Sequence, residues 1–446
     1  MKAIIAGGGI AGHAAALALR RRGLGVTVLE ARAEEDADGG LFLSLSSNGL
    51  RALSDLGLDC REGGINTVPT DRMTFHRSDG TRIAEAPMGS PQGPPPLTVR
   101  RADLARFLEA AARDAGAEVR HGARLVDYRE TTGGVEVALH DGETLDGDLL
   151  IGADGIHSRV RTIMLGGAFS ASYTGLVNFG GIVPASGLPP TPNAMRMIWG
   201  RKAFFGYTVQ PDGEAWWFAN LGMPENGAWS LSNTEMHRQR LLDQFAGDLS
   251  ALSKLIGRTG TLRAYPIHDL PSIPSWHKGR ALLIGDAAHA MSPSAGQGAS
   301  LALEDAVYLG VCLDDCDEPE TAFRCFEAGR RPRAEQIVRE GRRRGEYKAP
   351  QNGVQRWLRD LIVPLMLRIF ASPRALSWIY DYRVPRQIDR GTSPGNLHGR
   401  RAGDPAAWHE SADGPRTDMA SSRSTVSQGR KGSGADDTSP RLDQCG

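Results

Sequence analysis

Cysteine is scarce in this chain: Cys60, Cys312, Cys316, Cys325 and Cys445 are scattered over 446 residues. Cys312 and Cys316 would share one helical face, but no His or Cys pair completes a ligand set. No metal site is therefore expected, and the thiols read as free and intracellular. An excess of one charge is also missing. Lys+Arg and Asp+Glu stand at 52 each, which excludes a global basic field drawing the chain to nucleic acid. No apolar run is long enough to span a bilayer, and Ala3–Ala6 is far too short for the apolar core of a signal peptide. A cytoplasmic location is expected, and the length suits about two domains.

What is present is organised around Gly285–Ala306. Arg280–Gly285 before it reads as a short buried strand, and Leu301, Leu303, Ala306 and Leu309 after it recur at helical spacing. Between them lies a turn with Pro293, Gly296 and Gly298. Backbone N–H groups at a helix start, reached closely where side chains are absent, accept negative charge. Asp286, at the strand's end, is placed to accept hydrogen bonds from sugar-like hydroxyls. A polyol joined to an anionic ring, as in reduced flavin, suits both.

A second glycine turn opens the chain. Lys2–Ala6 reads as a strand, Gly7-Gly-Gly-Ile-Ala-Gly12 as its turn, Ala14 to about Arg22 as a helix ended by Gly23, and Val26–Glu30 as the next strand. This is a βαβ unit with Gly-x-Gly-x-x-Gly at its first turn. Gly7 allows the tight turn, Gly9 the approach of a pyrophosphate, and Gly12 close helix packing. Glu30, 18 residues past Gly12, is placed to hold ribose hydroxyls.

The Gly285–Ala306 stretch resembles the second flavin-binding motif of the class A FAD-dependent aromatic hydroxylases, the p-hydroxybenzoate hydroxylase fold. Those proteins read Gly-Asp-Ala-x-His-x-x-x-Pro-x-x-Gly-Gln-Gly-x-x-x-x-x-Glu-Asp, and every fixed position is met from Gly285 to Asp305. Arg101-Ala-Asp-Leu104 resembles the family's Arg-x-Asp-Leu signature. Asp154, Gly155, Ser158 and Arg161 are in register with its Asp-Gly motif, which in relatives serves FAD and the incoming NADPH.

The resemblance implies an α/β fold: a Rossmann-like FAD-binding domain (1–65, 100–170 and 266–350), an inserted, mainly antiparallel β-sheet substrate domain (66–99 and 171–265), and C-terminal helices (351–386). It implies FAD held by Gly7, Gly9, Gly12, Glu30, Ala31, Ser44, Arg101, Leu125, Asp154, Asp286, Gly296, Gln297, Gly298 and Ala299. NADPH or NADH, lacking a second glycine fingerprint, would bind transiently. Pro293 would shape the site where O2 reacts, and His289 would be structural. The implied activity is a monooxygenase that hydroxylates or epoxidises an aromatic or alkene-containing small molecule through a flavin C4a-hydroperoxide. A related halogenase would carry Trp-x-Trp-x-Ile-Pro, whereas here Trp216 and Trp217 are adjacent and no Ile-Pro follows. A non-catalytic flavin-binding protein is the other alternative.

From Tyr173 to Tyr265 the text is strand-rich, and the lack of a charged cluster on these strands points to an apolar or weakly polar substrate. Met197, Phe205, Tyr207 and Trp217 are candidate pocket residues, with Tyr207 orienting a phenol and His268 helping to deprotonate it. His121–Val126 reads as a further strand. Trp357–Phe370 and Leu376–Tyr380 are amphipathic, and docking on the cofactor domain is preferred over a membrane surface. After Gln387 the composition is that of a disordered tail.

Overall fold

The computed structural model of the chain describes residues 1–33, 41–225, 234–346 and 372–388. Trp357–Phe370 and the tail beyond Ile388 lie outside the described residues. Lys2–Ala6 (β1) is buried from Ala3 onward, as a strand covered on both faces requires. Ile10–Arg20 (α1) follows; the N–H of Gly23, at φ +78°, bonds to the Arg20 carbonyl and ends it. Gly25–Leu29 (β2) then returns parallel to β1.

Phe42–Leu45 (β3), Ser47–Asp55 (α2), Thr67–Pro69 (β4), Arg72–Arg77 (β5), Arg82–Pro87 (β6) and Leu97–Arg100 (β7) come next. They lead through Arg101–Asp114 (α3) to Glu118–Arg120 (β8), Leu125–Glu130 (β9), Val135–Leu139 (β10), Thr144–Gly147 (β11), Leu149–Gly152 (β12) and Arg159–Met164 (α4). Ser172–Val183 (β13), Ala194–Trp199 (β14), Phe204–Val209 (β15) and Ala215–Gly222 (β16) precede Thr234–Gln244 (α5), Ser250–Arg258 (α6) and Arg263–Asp269 (β17). His277–Lys278 (β18), Ala281–Leu283 (β19), Asp286–His289 (α7), Gly298–Asp315 (α8), Pro319–Glu346 (α9) and Pro373–Tyr380 (α10) complete the described elements.

One sheet has the order β18-β19-β12-β1-β2-β8, parallel except for the β18–β19 pair. A second, β17-β13-β16-β15-β14-β5-β6, is antiparallel except where β14 runs beside β5. His121–Val126 is not one strand. Gly122, at φ +72°, turns the chain there, so β8 ends at Arg120 in the parallel sheet and β9 starts at Leu125 in the separate β11-β10-β9 sheet.

The seven-stranded sheet has two unlike faces, because side chains alternate along each strand. Phe179, Ile198, Phe205, Tyr207, Trp217 and Ala219 pack with Leu241, Leu252, Leu255 and Ile256 of α5 and α6. Met195, Met197, Trp199 and Phe204 point the other way, with Phe42 of β3 and Phe218 packed against them. Gly180 confirms the second face, since an added methyl there would overlap Leu41, while one on Gly181 would overlap Thr259 beside α6. Among the described residues no helix is long and apolar enough to cross a membrane.

His13 on α1 is buried 3.9 Å from Glu109 of α3, with no hydrogen-bond partner for either ring nitrogen among the described residues. Burial pushes its pKa down to about 4, against the pull of Glu109 and Glu30. The unfolded chain takes a proton near pH 6.5 and the folded chain does not, so this group's stability is intact above 6.5 and falls as pH drops toward 4. Urea unfolding should show about 2 kcal/mol of loss between pH 7 and 5 that is absent from His13→Met; an unchanged pH slope in that variant would refute the assignment.

Candidate cofactor and substrate site

Three strands end together. β1, β12 and β19 lie side by side with Ala6 opposite Gly152 and Gly152 opposite Leu283. Their C-terminal ends therefore deliver the Gly7–Gly12 turn, the Asp154 loop and Gly285–Asp286 to one edge of the sheet, where doubly wound folds bind ligands. Gly7, at φ +105°, lies against Ala153, and a methyl on Gly12 would overlap the Gly7 carbonyl. Gly285 sits between the helices that follow: its Cβ position is 2.9 Å from the Ala11 Cβ and 3.7 Å from the Ala302 Cβ. The Gly7–Gly12 turn and Gly285, far apart in sequence, are neighbours.

Both helix starts are open. The first bond inside α1 runs from the His13 N–H to Gly9, and the first inside α8 from the Leu301 N–H to Gln297; neither helix has a side-chain cap. The N–H groups of Ile10, Ala11 and Gly12, and of Gly298, Ala299 and Ser300, thus find no acceptor among the described residues. A Cβ on Gly9 or Gly296 would meet nothing within 4 Å, leaving room beside each turn. The half-buried carboxylate of Asp286 and the exposed guanidinium of Arg101 likewise have no partner among the described residues. Two anion-accepting helix ends, a hydroxyl acceptor and a cation fit the pyrophosphate, ribityl chain and ring of FAD.

Glu30 accepts from the Gly8 N–H at 2.9 Å and the Arg32 N–H at 2.9 Å. Burial raises this carboxyl, but the bonds from Arg32 and Gly8 more than offset it and leave the pKa lowered. Ala31 is half-buried just beyond β2, and Leu125 is buried at the start of β9. The Ser44 hydroxyl lies 2.9 Å from that of Thr98. Asp154 accepts from the Ser158 hydroxyl and from the N–H groups of Arg159 and Val160, at 2.5, 2.7 and 3.0 Å, so its carboxylate caps α4. Buried Arg161 donates to the Ala287 carbonyl at 2.9 Å, joining this loop to α7.

Pro293 is exposed in a short 3-10 turn, whereas Gln297 is buried. Gln297 donates to the Ser46 hydroxyl at 3.0 Å and accepts from Asn48 at 2.8 Å, and Asn48 also donates to Glu304 at 2.7 Å. Glu304 pairs with Arg330 and Arg333 at 2.8 and 2.9 Å. Asp305 pairs with Arg330 at 2.8 Å and His289 at 2.7 Å. Arg333 continues to the carbonyls of Trp378 and Ile379 in α10, at 2.8 and 2.9 Å. Asn48, Ser46, Arg330 and Arg333 thus hold the start of α8, although nothing in their sequence context marks them.

Tyr207 requires a correction. It is buried with Phe205 and Trp217 on the face covered by α5 and α6, and its hydroxyl accepts from Arg196 at 3.2 Å. Of the four pocket candidates only Met197 points toward β3. Alternation separates odd from even strand positions without saying which set faces the cofactor. His268 is brought beside Tyr173 and His157, with ring centroids 5.5 and 6.2 Å away, and its Nε2 is 3.2 Å from Glu225.

Residues 1–341 match the family described as FAD binding domain. The chain is 32% identical over 377 residues to the aurachin C monooxygenase/isomerase of Stigmatella aurantiaca, covering 81% of this chain and 94% of that one. It is 33% identical over 354 residues to the FAD-dependent urate hydroxylase of Klebsiella pneumoniae, covering 77% and 89%. The structure of Klebsiella pneumoniae HpxO complexed with FAD and uric acid resembles it with a TM-score of 0.73 at 29% identity, over 83% of this chain and 94% of that one. With the Gly7–Gly12 turn and Gly285 brought together at the strand ends, the chain belongs to the FAD-binding family of flavin-dependent monooxygenases with the p-hydroxybenzoate hydroxylase fold.

Proposed function

We propose that this monooxygenase hydroxylates a flat, weakly polar aromatic ring, bound between the Pro293 turn and the open face of the seven-stranded sheet. One observation carries the reading: the position of β13. A Cβ on Gly345 would lie 3.6 Å from the Ser294 hydroxyl and 3.7 Å from Leu176, so Gly345 of α9 packs between that end of β13 and the serine that follows Pro293. Four residues on, Gly180 abuts Leu41 beside β3. Asn178, between them on the same face, looks into the interval. Across the strands this face presents Met195, Met197, Phe204, Trp216 and Phe218, and β13, β15 and β16 carry no charged residue. Arg263, on the edge strand β17 opposite Gly180, brings a cation to the rim.

Bound FAD supplies acceptance of hydride from NAD(P)H and activation of O2. The chain supplies placement and dryness. The free N–H groups of Gly298–Ser300 and the dipole of α8 steady negative charge at their end of the site. Gln297, tied to Asn48 and Ser46, keeps those groups fixed, and Asp286 accepts from hydroxyls. The aromatic and methionine side chains exclude water from the reacting edge.

The test is turnover of the FAD-loaded protein with NADPH, labelled O2 and hydroxylated rings such as 3-hydroxybenzoate, salicylate and 2-naphthol. Ring-stimulated NADPH loss with one labelled oxygen in the product is expected. NADPH oxidised only to peroxide with every ring, or product formed only with added halide, would contradict the proposal.

A further inference from the structure

Resting on the reading above, that the ring lies on this face, we infer that Tyr265 and Asn178 grip the oxygen substituent of the substrate and set which ring carbon is presented for hydroxylation. The strand register places them together. Tyr265 of β17 is directly opposite Asn178 of β13, Asn178 is opposite Asn220 of β16, and Asn220 is opposite Phe204 of β15. Directly opposed residues share a face with their side chains in reach of one another. This face is the one turned to Leu41 and the Pro293 turn, since Ala264, the neighbour of Tyr265, packs in the opposite core with α5 and α6.

The donors of the pair stand open. Asn220 donates to the Asn178 carbonyl oxygen at 2.9 Å, and the N–H groups of Asn178 have no partner among the described residues. The Tyr265 hydroxyl also has none. Both side chains are half-buried, and neither donor is enclosed, so each is open to a ligand. The contrast is Tyr207, buried on the other face with its hydroxyl bonded to Arg196.

An amide N–H and a phenol O–H side by side suit one oxygen with two lone pairs, a phenolate or a ring carbonyl. Donors to the charged form favour it, so the pair would stabilise an ionised hydroxyl on the substrate. An ionised hydroxyl enriches the carbons ortho and para to it, which are the positions an electrophilic oxygen seeks. Tyr265 and Asn178 would therefore fix orientation and protonation state at once, while the apolar neighbours hold the ring's faces.

The experiment titrates FAD-loaded full chain with 2-naphthol and with naphthalene, reading the shift of the flavin absorbance band. Tyr265→Phe should weaken 2-naphthol about tenfold, the worth of one hydrogen bond to a charged acceptor, and leave naphthalene unchanged. Asn178→Asp, which keeps the acceptor for Asn220 but removes the donors, should act on the same probe alone. The rise in 2-naphthol affinity with pH should flatten in both variants. Equal losses for both probes would reveal a packing role, and no loss for either would remove the residues from the site; both results overturn the inference. If neither probe perturbs the wild-type spectrum, the aromatic-ring reading itself fails and takes this one with it.

Discussion

Arg330→Met should lower the folding stability by about 3–5 kcal/mol, the range for removing one partner of a buried ion pair. The side chain is fully buried and holds Glu304 and Asp305 at 2.8 Å each, both nearly or fully inaccessible. Burial raises both carboxyls; His289 and Arg330 bring Asp305 down to about 2, and Arg330, Arg333 and Asn48 leave Glu304 lowered. Without Arg330, Glu304 keeps Arg333 and Asp305 keeps its contact with His289, and part of the desolvation cost of each acid is unmet. The stabilisation from Asp305 is present above its ordinary value near 3.8 and is lost as pH falls toward 2, so a neutral-pH measurement reads it in full. The effect should extend to the cofactor, because Glu304 carries Asn48 and Asn48 carries Gln297 at the start of α8. Denaturant unfolding and FAD titration would check this; an unchanged midpoint would mean the network contributes nothing net.

Gly12→Ala should weaken FAD binding at least about 100-fold, roughly 3 kcal/mol. The added methyl would overlap the Gly7 carbonyl oxygen, which is backbone and has no rotamer to adopt. Gly7 cannot retreat, because its other side already lies against Ala153 and Asp154. α1 would be pushed from β1, and the N–H groups of Ile10 and Ala11 would move with it. Gly9→Ala separates loss of ligand from loss of fold. There the new methyl meets no protein atom within 4 Å, so the unfolding midpoint of the FAD-free protein should hold while flavin absorbance after gel filtration drops. A Gly9→Ala protein that retains full flavin would place the pyrophosphate elsewhere.

The cofactor half was legible in the sequence because its residues are fixed by local backbone needs. A turn that must lie flat on a neighbouring loop demands Gly7, and a strand–turn–helix unit announces itself by period and punctuation. Even the approach of Gly285 to the first glycine turn followed, since parallel strands with crossover helices end on one side. The substrate half was less legible. Phe204 and Phe205 look alike in a strand, and only the later residues of α5 and α6 decide that Phe205, Tyr207 and Trp217 face away. Gly122 was a turn inside what looked like a strand, and its positive φ marks the change of sheet. Arg330 and Arg333 sit in Arg330-Arg-Pro-Arg333, which reads as a solvated run until Glu304 and Asp305 are packed against it.

A crystal structure of the FAD complex should show the pyrophosphate at the N–H groups of Ile10–Gly12, the flavin ring at Gly298–Ser300, and its free side toward Asn178 and Tyr265. Flavin density with the ring away from the start of α8, or with the α5–α6 face of the sheet turned to it, would overturn this placement of cofactor and substrate.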